Sequence, residues 1–103
     1  MNPFAIDIAP AAFEALGTID AWWAAERPSA PQLFVREFSA SLQRLARSPF
    51  IGVRYSSQKF ANVRRLLMPR TRYHVYYAVD EIHRVVNVIA VWHAARGKGP
   101  LGL

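Results

Sequence analysis

The sequence predicts an α+β fold: an N-terminal strand, then an antiparallel two-helix hairpin packed on a small antiparallel sheet, in the order β-α-α-β-β-β. Three observations carry this expectation. Apolar residues alternate with small or acidic ones over residues 4–9 and recur at helical spacing through residues 10–47. After residue 62 they crowd into three β-branched and aromatic runs separated by turn residues. The 103 residues suit one domain, 1–103, and 52% of them are hydrophobic, enough for a core without staples.

In "FAIDIA", Phe4, Ile6 and Ile8 alternate with Ala5, Asp7 and Ala9, the pattern of a short strand. Pro10 then opens a helix, because the first helical position needs no N–H partner. Ala12, Leu16, Ile19 and Trp23 form one apolar stripe on that helix, Gly17 weakens it, and Pro28 ends it. Ser29 is placed to cap a second helix running to Arg47, with Phe34, Phe38, Leu42 and Leu45 inward and Arg36, Arg44 and Arg47 outward. The short connection makes the two helices a hairpin.

Residues 48–62, "SPFIGVRYSSQKFAN", read mostly as loop. Strands follow at 63–68, 72–79 and 84–92, with turns at Pro69-Arg70-Thr71 and from Asp80 to His83. The last two are apolar on both faces, as doubly covered strands are. Strict alternation in the last puts Val85, Ile89 and Val91 on one face and Val86, Val88, Ala90 and Trp92 on the other. Residues 94–103 form a basic, Gly-rich tail that is expected to be mobile.

Charge is unevenly distributed. Residues 1–26 hold four carboxylates and no Lys or Arg, whereas residues 27–103 hold all 13 basic residues against three carboxylates, a balance of +10. A half so basic attracts nucleic acid, a ribosome or an acidic protein. The chain lacks cysteine, which excludes disulfides and thiolate metal sites. The histidines have no metal-ligand spacing, and no glycine-rich phosphate loop or nucleophile elbow occurs, so neither metal nor cofactor is expected. The N-terminus does not read as a signal peptide, and no apolar run approaches the ~18 residues of a membrane span. A cytoplasmic protein is the expectation.

On strand 72–79, alternation points Arg72, His74 and Tyr76 one way and Tyr73, Val75, Tyr77 and Val79 the other. Guanidinium groups bind phosphate oxygens and rings accept stacked bases, so the first face suits a phosphate-bearing target. A ribonuclease also needs proton-transfer groups. His93 lies after the last strand next to Arg96, where it could face Arg65 or Arg72. His74, mid-strand, and His83, in a turn, are less suited, and "GVRYSSQKFANVRR" offers no acidic base.

The segments "VRRLLMPRTRYHVYYAVD" and "VVNVIAVWHAARG" resemble the C-terminal half of RelE/ParE toxins of type II toxin–antitoxin systems, and "IAPAAFEALGTIDAWW" is similar to the family's opening strand and helix. The resemblance implies a helical hairpin against an antiparallel sheet. It also implies a plasmid-stabilisation toxin of one of two kinds. The RelE branch cleaves mRNA on the ribosome; the ParE branch, which this sequence looks more like, poisons DNA gyrase. On that reading Arg65, Arg70, Arg72, His93 and Arg96 contact the target. Should the chain be a nuclease, its catalytic set is His93, Arg65 and Arg72. The partner implied is an acidic ParD/RelB-like antitoxin, meeting Arg44, Arg47 and whichever of Trp22 and Trp23 lies outside the core. A plain basic nucleic-acid-binding module is the weaker alternative.

Overall fold

The computed structural model describes residues 2–97, 99, 100 and 103, so Lys98, Leu101 and Gly102 of the expected tail lie outside the described residues. Seven elements follow one another: β1 (Ala5–Ile8), α1 (Pro10–Glu26), α2 (Leu33–Arg47), β2 (Val53–Arg54), β3 (Val63–Met68), β4 (Tyr73–Asp80) and β5 (Val85–His93). The strands make one sheet in the order β1-β5-β4-β3-β2. The β3–β4–β5 meander is antiparallel as expected, but the sheet as a whole is mixed, because β1 runs parallel to β5. No described helix is long and apolar enough to cross a membrane.

The helices cover one sheet face. Phe34, Phe38 and Leu45 of α2 and Ala12 and Trp23 of α1 pack on Met68, Val75, Tyr77, Val86, Val88 and Val91. The two helices reach this packing differently. Helix α2 is sharply two-sided, whereas α1 is apolar around much of its circumference, so Phe13 and Trp22 remain exposed.

Three details differ from the sequence expectation. Helix α2 starts at Leu33 rather than after Ser29, because Ala30 precedes Pro31 and a residue before proline is driven from helical geometry. Turn bonds from Ala30 N–H to Arg27 C=O (3.0 Å) and Leu33 N–H to Ala30 C=O (3.2 Å) fill the gap. The stretch read as loop contains β2, whose Val53 and Arg54 pair with Arg65 and Arg64. The loop is pinned from inside by Gly52, whose N–H donates to the buried Tyr77 Oη at 2.8 Å. A Cβ on Gly52 would stand 2.5 Å from that oxygen, so the close approach needs glycine.

The third difference sets the faces of β5. Tyr76 pairs with Ala90 but Tyr77 pairs with Val88, leaving Ile89 as a bulged residue. The bulge breaks alternation: Val86, Val88 and Val91 face the helices, whereas Ala90 and Trp92 share a face with their partners Tyr76 and His74. The tail, expected to be mobile, touches the body where it is described. Gln58 N–H donates to Leu103 C=O (3.3 Å), and Gly99 lies against the Tyr55 ring.

Candidate functional site

Pairing across the meander assigns each side chain to a face. Tyr73, Val75, Tyr77 and Val79 of β4 pack with the helices, so His74 and Tyr76 lie on the opposite face, His74 half-buried and Tyr76 only 1% exposed. Register adds Arg65, opposite Tyr76, and Leu67, opposite His74. The extended chain after β2 brings Tyr55 in from the side, with its N–H bonded to Val63 C=O at 2.9 Å.

These groups touch. The Tyr55 and Tyr76 rings meet edge to face with centroids 4.9 Å apart, and His74 lies 6.0 Å from Tyr76 in the same manner. The Arg65 guanidinium sits over Tyr55 at 5.5 Å and reaches the Tyr76 hydroxyl with Nη1 at 3.4 Å. Partial burial, then the charges of Arg65 and Arg72, lower the His74 pKa, which favours the neutral imidazole. Arg72 lies just before β4 in the left-handed region (φ 68°), its N–H closing the turn onto Met68 C=O at 2.8 Å. Two carboxylates lie on this face: Asp7 on β1, whose partner Asn87 pairs with Ala78, and Asp80, six positions along β4 from His74, ~20 Å at strand spacing. Asp80 is engaged by His83 Nδ1 at 2.8 Å.

The other expected residues sit elsewhere. His93 pairs with Tyr73, so it belongs to the helix-side face, not the face of Arg65. Its ring stands edge-on to Tyr73 at 4.9 Å, and its Nδ1 accepts the Ala95 N–H at 3.1 Å. Burial raises the pKa of Tyr73, against a smaller opposing effect of Arg96. Arg96 covers the Trp92 ring at 4.3 Å. Arg70 is held at the β3–β4 turn by its own N–H, which donates to Glu37 Oε2 at 2.8 Å. Arg44 and Arg47 are exposed in the last turn of α2. Of the two tryptophans, Trp23 is in the core and Trp22 is 48% exposed, lying edge-on to it.

The structure therefore brings Arg65, Arg72, His74, Tyr76 and Tyr55 towards one surface and takes His93 away from it. Sequence reasoning set His74 aside although its two-residue spacing from Tyr76 was visible. Tyr55 carried no such signal, because its strand-like contact depends on a partner eight residues later. Chemically, the surface offers guanidinium groups and the edge of Tyr55 to an anionic or acidic target, beside the His74 imidazole, whose pKa is lowered. Among the described residues no group of three His, Asp or Glu side chains gathers where a metal could sit.

The fold recurs in solved structures. The chain superposes on a chain of the chromosomal ParDE toxin–antitoxin system of P. aeruginosa with a TM-score of 0.69 at 14% identity, covering 87% of this chain and 95% of that one. For the archaeal RelE–RelB complex from Pyrococcus horikoshii the values are 0.64, 16%, 92% and 99%. For a mutant of the E. coli toxin RelE in the free state they are 0.61, 17%, 92% and 87%. At such identities the likeness is one of fold. No curated protein matches the sequence. A family model does: that of the ParE toxin of type II toxin–antitoxin systems, parDE, matches residues 6–97, and the chain belongs to that family.

Proposed function

We propose that this toxin is held inactive by a cognate acidic antitoxin of the ParD/RelB kind and that, once released, it inhibits DNA gyrase. The observation that carries the reading is the composition of the sheet face opposite the helices. Arg65 and the part-exposed Tyr55 and His74 form a cationic and aromatic surface over the buried Tyr76, and among the described residues no carboxylate is ion-paired to Arg65. Such a face suits contact with an acidic or phosphate-bearing target more than bond cleavage. Exposed Trp22 and the arginines Arg44 and Arg47 are read as antitoxin contacts.

The test is gyrase supercoiling and cleavage-complex assays with purified protein. Wild type should inhibit, and Arg65→Glu should need at least ~10-fold more protein, since each such factor is about 1.4 kcal/mol of lost contact energy. Circular dichroism checks that the variant is folded. Absence of any wild-type effect in both assays removes gyrase as the target.

A second reading, a ribosome-dependent endoribonuclease, is favoured by one observation. His74 is neutral-leaning and lies within electrostatic reach of Arg65 and Arg72. A neutral imidazole can accept the 2′-hydroxyl proton while guanidinium groups stabilise the phosphorane. His74, rather than His93, is then the residue to replace. Message cleavage in a translating extract that is lost in His74→Ala and kept in His93→Ala would establish it; uncut message with wild type would dismiss it.

A further inference from the structure

The pairing of β2 with β3 sets two arginines against each other. Arg54 stands directly opposite Arg64, so both side chains leave the sheet on one face, with Cβ atoms ~5 Å apart. Arg64 in turn pairs with Tyr77 of the core, which makes this the helix-side face and not the face that Arg65 shares with Val53 and Tyr76. Like charges directly opposite in a ladder work against the pairing. Among the described residues neither arginine is in a salt bridge, and Arg54 is exposed. Arg64 commits Nη1 to the Phe50 and Gly52 carbonyls (3.2 and 2.9 Å), which leaves the N–H groups of Nη2 and Nε for a further acceptor. An anion between the two guanidinium groups would turn the repulsion into a shared attraction.

Both arginines line a cavity of about 580 Å³ where β3 begins and β4 ends, within the size range of small-ligand sites. Phe50, 47% exposed, and Phe60, 38% exposed, contribute rings to it. The Phe60 loop is held from within, because Ser57 Oγ accepts the N–H groups of Lys59 at 3.2 Å and Phe60 at 3.0 Å. Arg64 lies over the Phe50 ring at 5.4 Å, so this ring positions the cation. The one carboxylate in the lining is Glu81. It stands four positions beyond Tyr77, the residue opposite Arg64, which is ~13 Å at strand spacing. The cavity thus has a cationic part, a ring beside it and a separate hydrogen-bond acceptor.

We propose that this cavity binds a nucleoside monophosphate, as a free nucleotide or as one unit of a single strand. Its phosphate lies between Arg54 and Arg64, whose planar guanidinium groups match phosphate oxygens in pairs. Its base stacks on the Phe60 ring. The Glu81 carboxylate accepts an N–H from the edge of the base, which favours a base with an exocyclic amino group. Cytosine presents such a donor at N4, where uracil has a carbonyl oxygen that the carboxylate repels. The site uses the sheet face opposite to that of Arg65, so it does not rest on the function proposed above.

The probes are cytidine monophosphate, uridine monophosphate and inorganic phosphate, titrated into the full chain by calorimetry. The cytidine nucleotide should bind at least ~10-fold tighter than phosphate alone, through the stacked base, and about 5-fold tighter than the uridine nucleotide. Glu81→Gln should erase the second difference, because an amide both donates and accepts. Arg54→Gln should weaken the cytidine nucleotide about 10-fold, and without ligand it should melt no lower than wild type, since it removes a like-charge pair. Arg64 is left intact because its bonds hold Phe50 and Gly52. A cytidine pentanucleotide separates the two sources: binding tighter than the mononucleotide and sensitive to Arg54→Gln makes a strand the source, and binding no tighter makes it the free nucleotide. Absence of nucleotide binding, equal affinity for phosphate or for both nucleotides, or undiminished binding to folded Arg54→Gln overturns the proposal. So does binding lost in Arg65→Glu and kept in Arg54→Gln, which places the ligand on the other face.

Discussion

A single carboxylate, Glu37, ties α2 to the β3–β4 turn. Its Oε2 accepts the Arg70 N–H at 2.8 Å, and its Oε1 accepts the Thr71 N–H at 2.9 Å and the Thr71 hydroxyl at 2.7 Å. Thr71 is only 3% exposed, so water cannot readily replace the lost acceptor. Glu37→Ala should therefore destabilise the fold by about 2–3 kcal/mol, read from urea midpoints, and Glu37→Gln by less because one oxygen remains. His74 adds a pH dependence at the same scale. Its folded pKa is depressed by burial and by Arg65 and Arg72. Its unfolded value is about 6.5, so below that pH the unfolded chain binds more protons and stability falls. The contribution is fully present above that range. Urea midpoints should drop between neutral and mildly acid pH, and His74→Gln should flatten the drop; an unchanged slope would mean that another group sets it.

At the scale of elements, helix α1 contains an avoidable weakness. Gly17 lies in its interior, and a Cβ added there meets nothing within 4 Å. Alanine should stabilise the helix by roughly 0.5–1 kcal/mol, seen as a higher melting temperature. That glycine was legible in the sequence, as were both helices, β1 and β3, because their patterns are local. What was not legible depends on contacts between elements. The Ile89 bulge arises only when β5 is laid against β4, and it reverses the faces of every residue after it. Strand β2 is two residues long and exists through its pairing with β3. His93 looked like a partner for Arg65 because proximity at the end of a strand does not reveal which face is meant. Tyr73 decides that, by pairing with His93 while its own ring packs on Phe34 at 5.2 Å. The early helix start expected at Ser29 failed for a local reason visible beforehand, the Ala30–Pro31 step.

For the molecule as a whole, the 13 basic residues are held in an unusual way. Among the described residues the only salt bridge joins His83 to Asp80, and no Lys or Arg is in one. Guanidinium groups lie on rings instead: Arg84 over Phe4 and Arg96 over Trp92, both at 4.3 Å, Arg64 over Phe50 at 5.4 Å and Arg65 over Tyr55. Arg64 also donates to the Phe50 and Gly52 carbonyls (3.2 and 2.9 Å), which neutralise none of its charge. Ring contacts cover the apolar stems while leaving the field of the cations uncancelled. Two opposite salt effects follow. Self-repulsion within a chain of net charge +6 is screened by added salt, since the Debye length falls to about 10 Å at 0.1 M, so the melting temperature of the free protein should rise from low to moderate ionic strength. Binding to an acidic antitoxin or to a phosphate-bearing target should weaken over the same range, chiefly through slower association. Thermal melts and association rates measured in one salt series check both. A protein whose cations were already neutralised internally would show neither trend, and a melting temperature that fell with salt would show that internal attraction between the acidic first 26 residues and the basic remainder outweighs the repulsion.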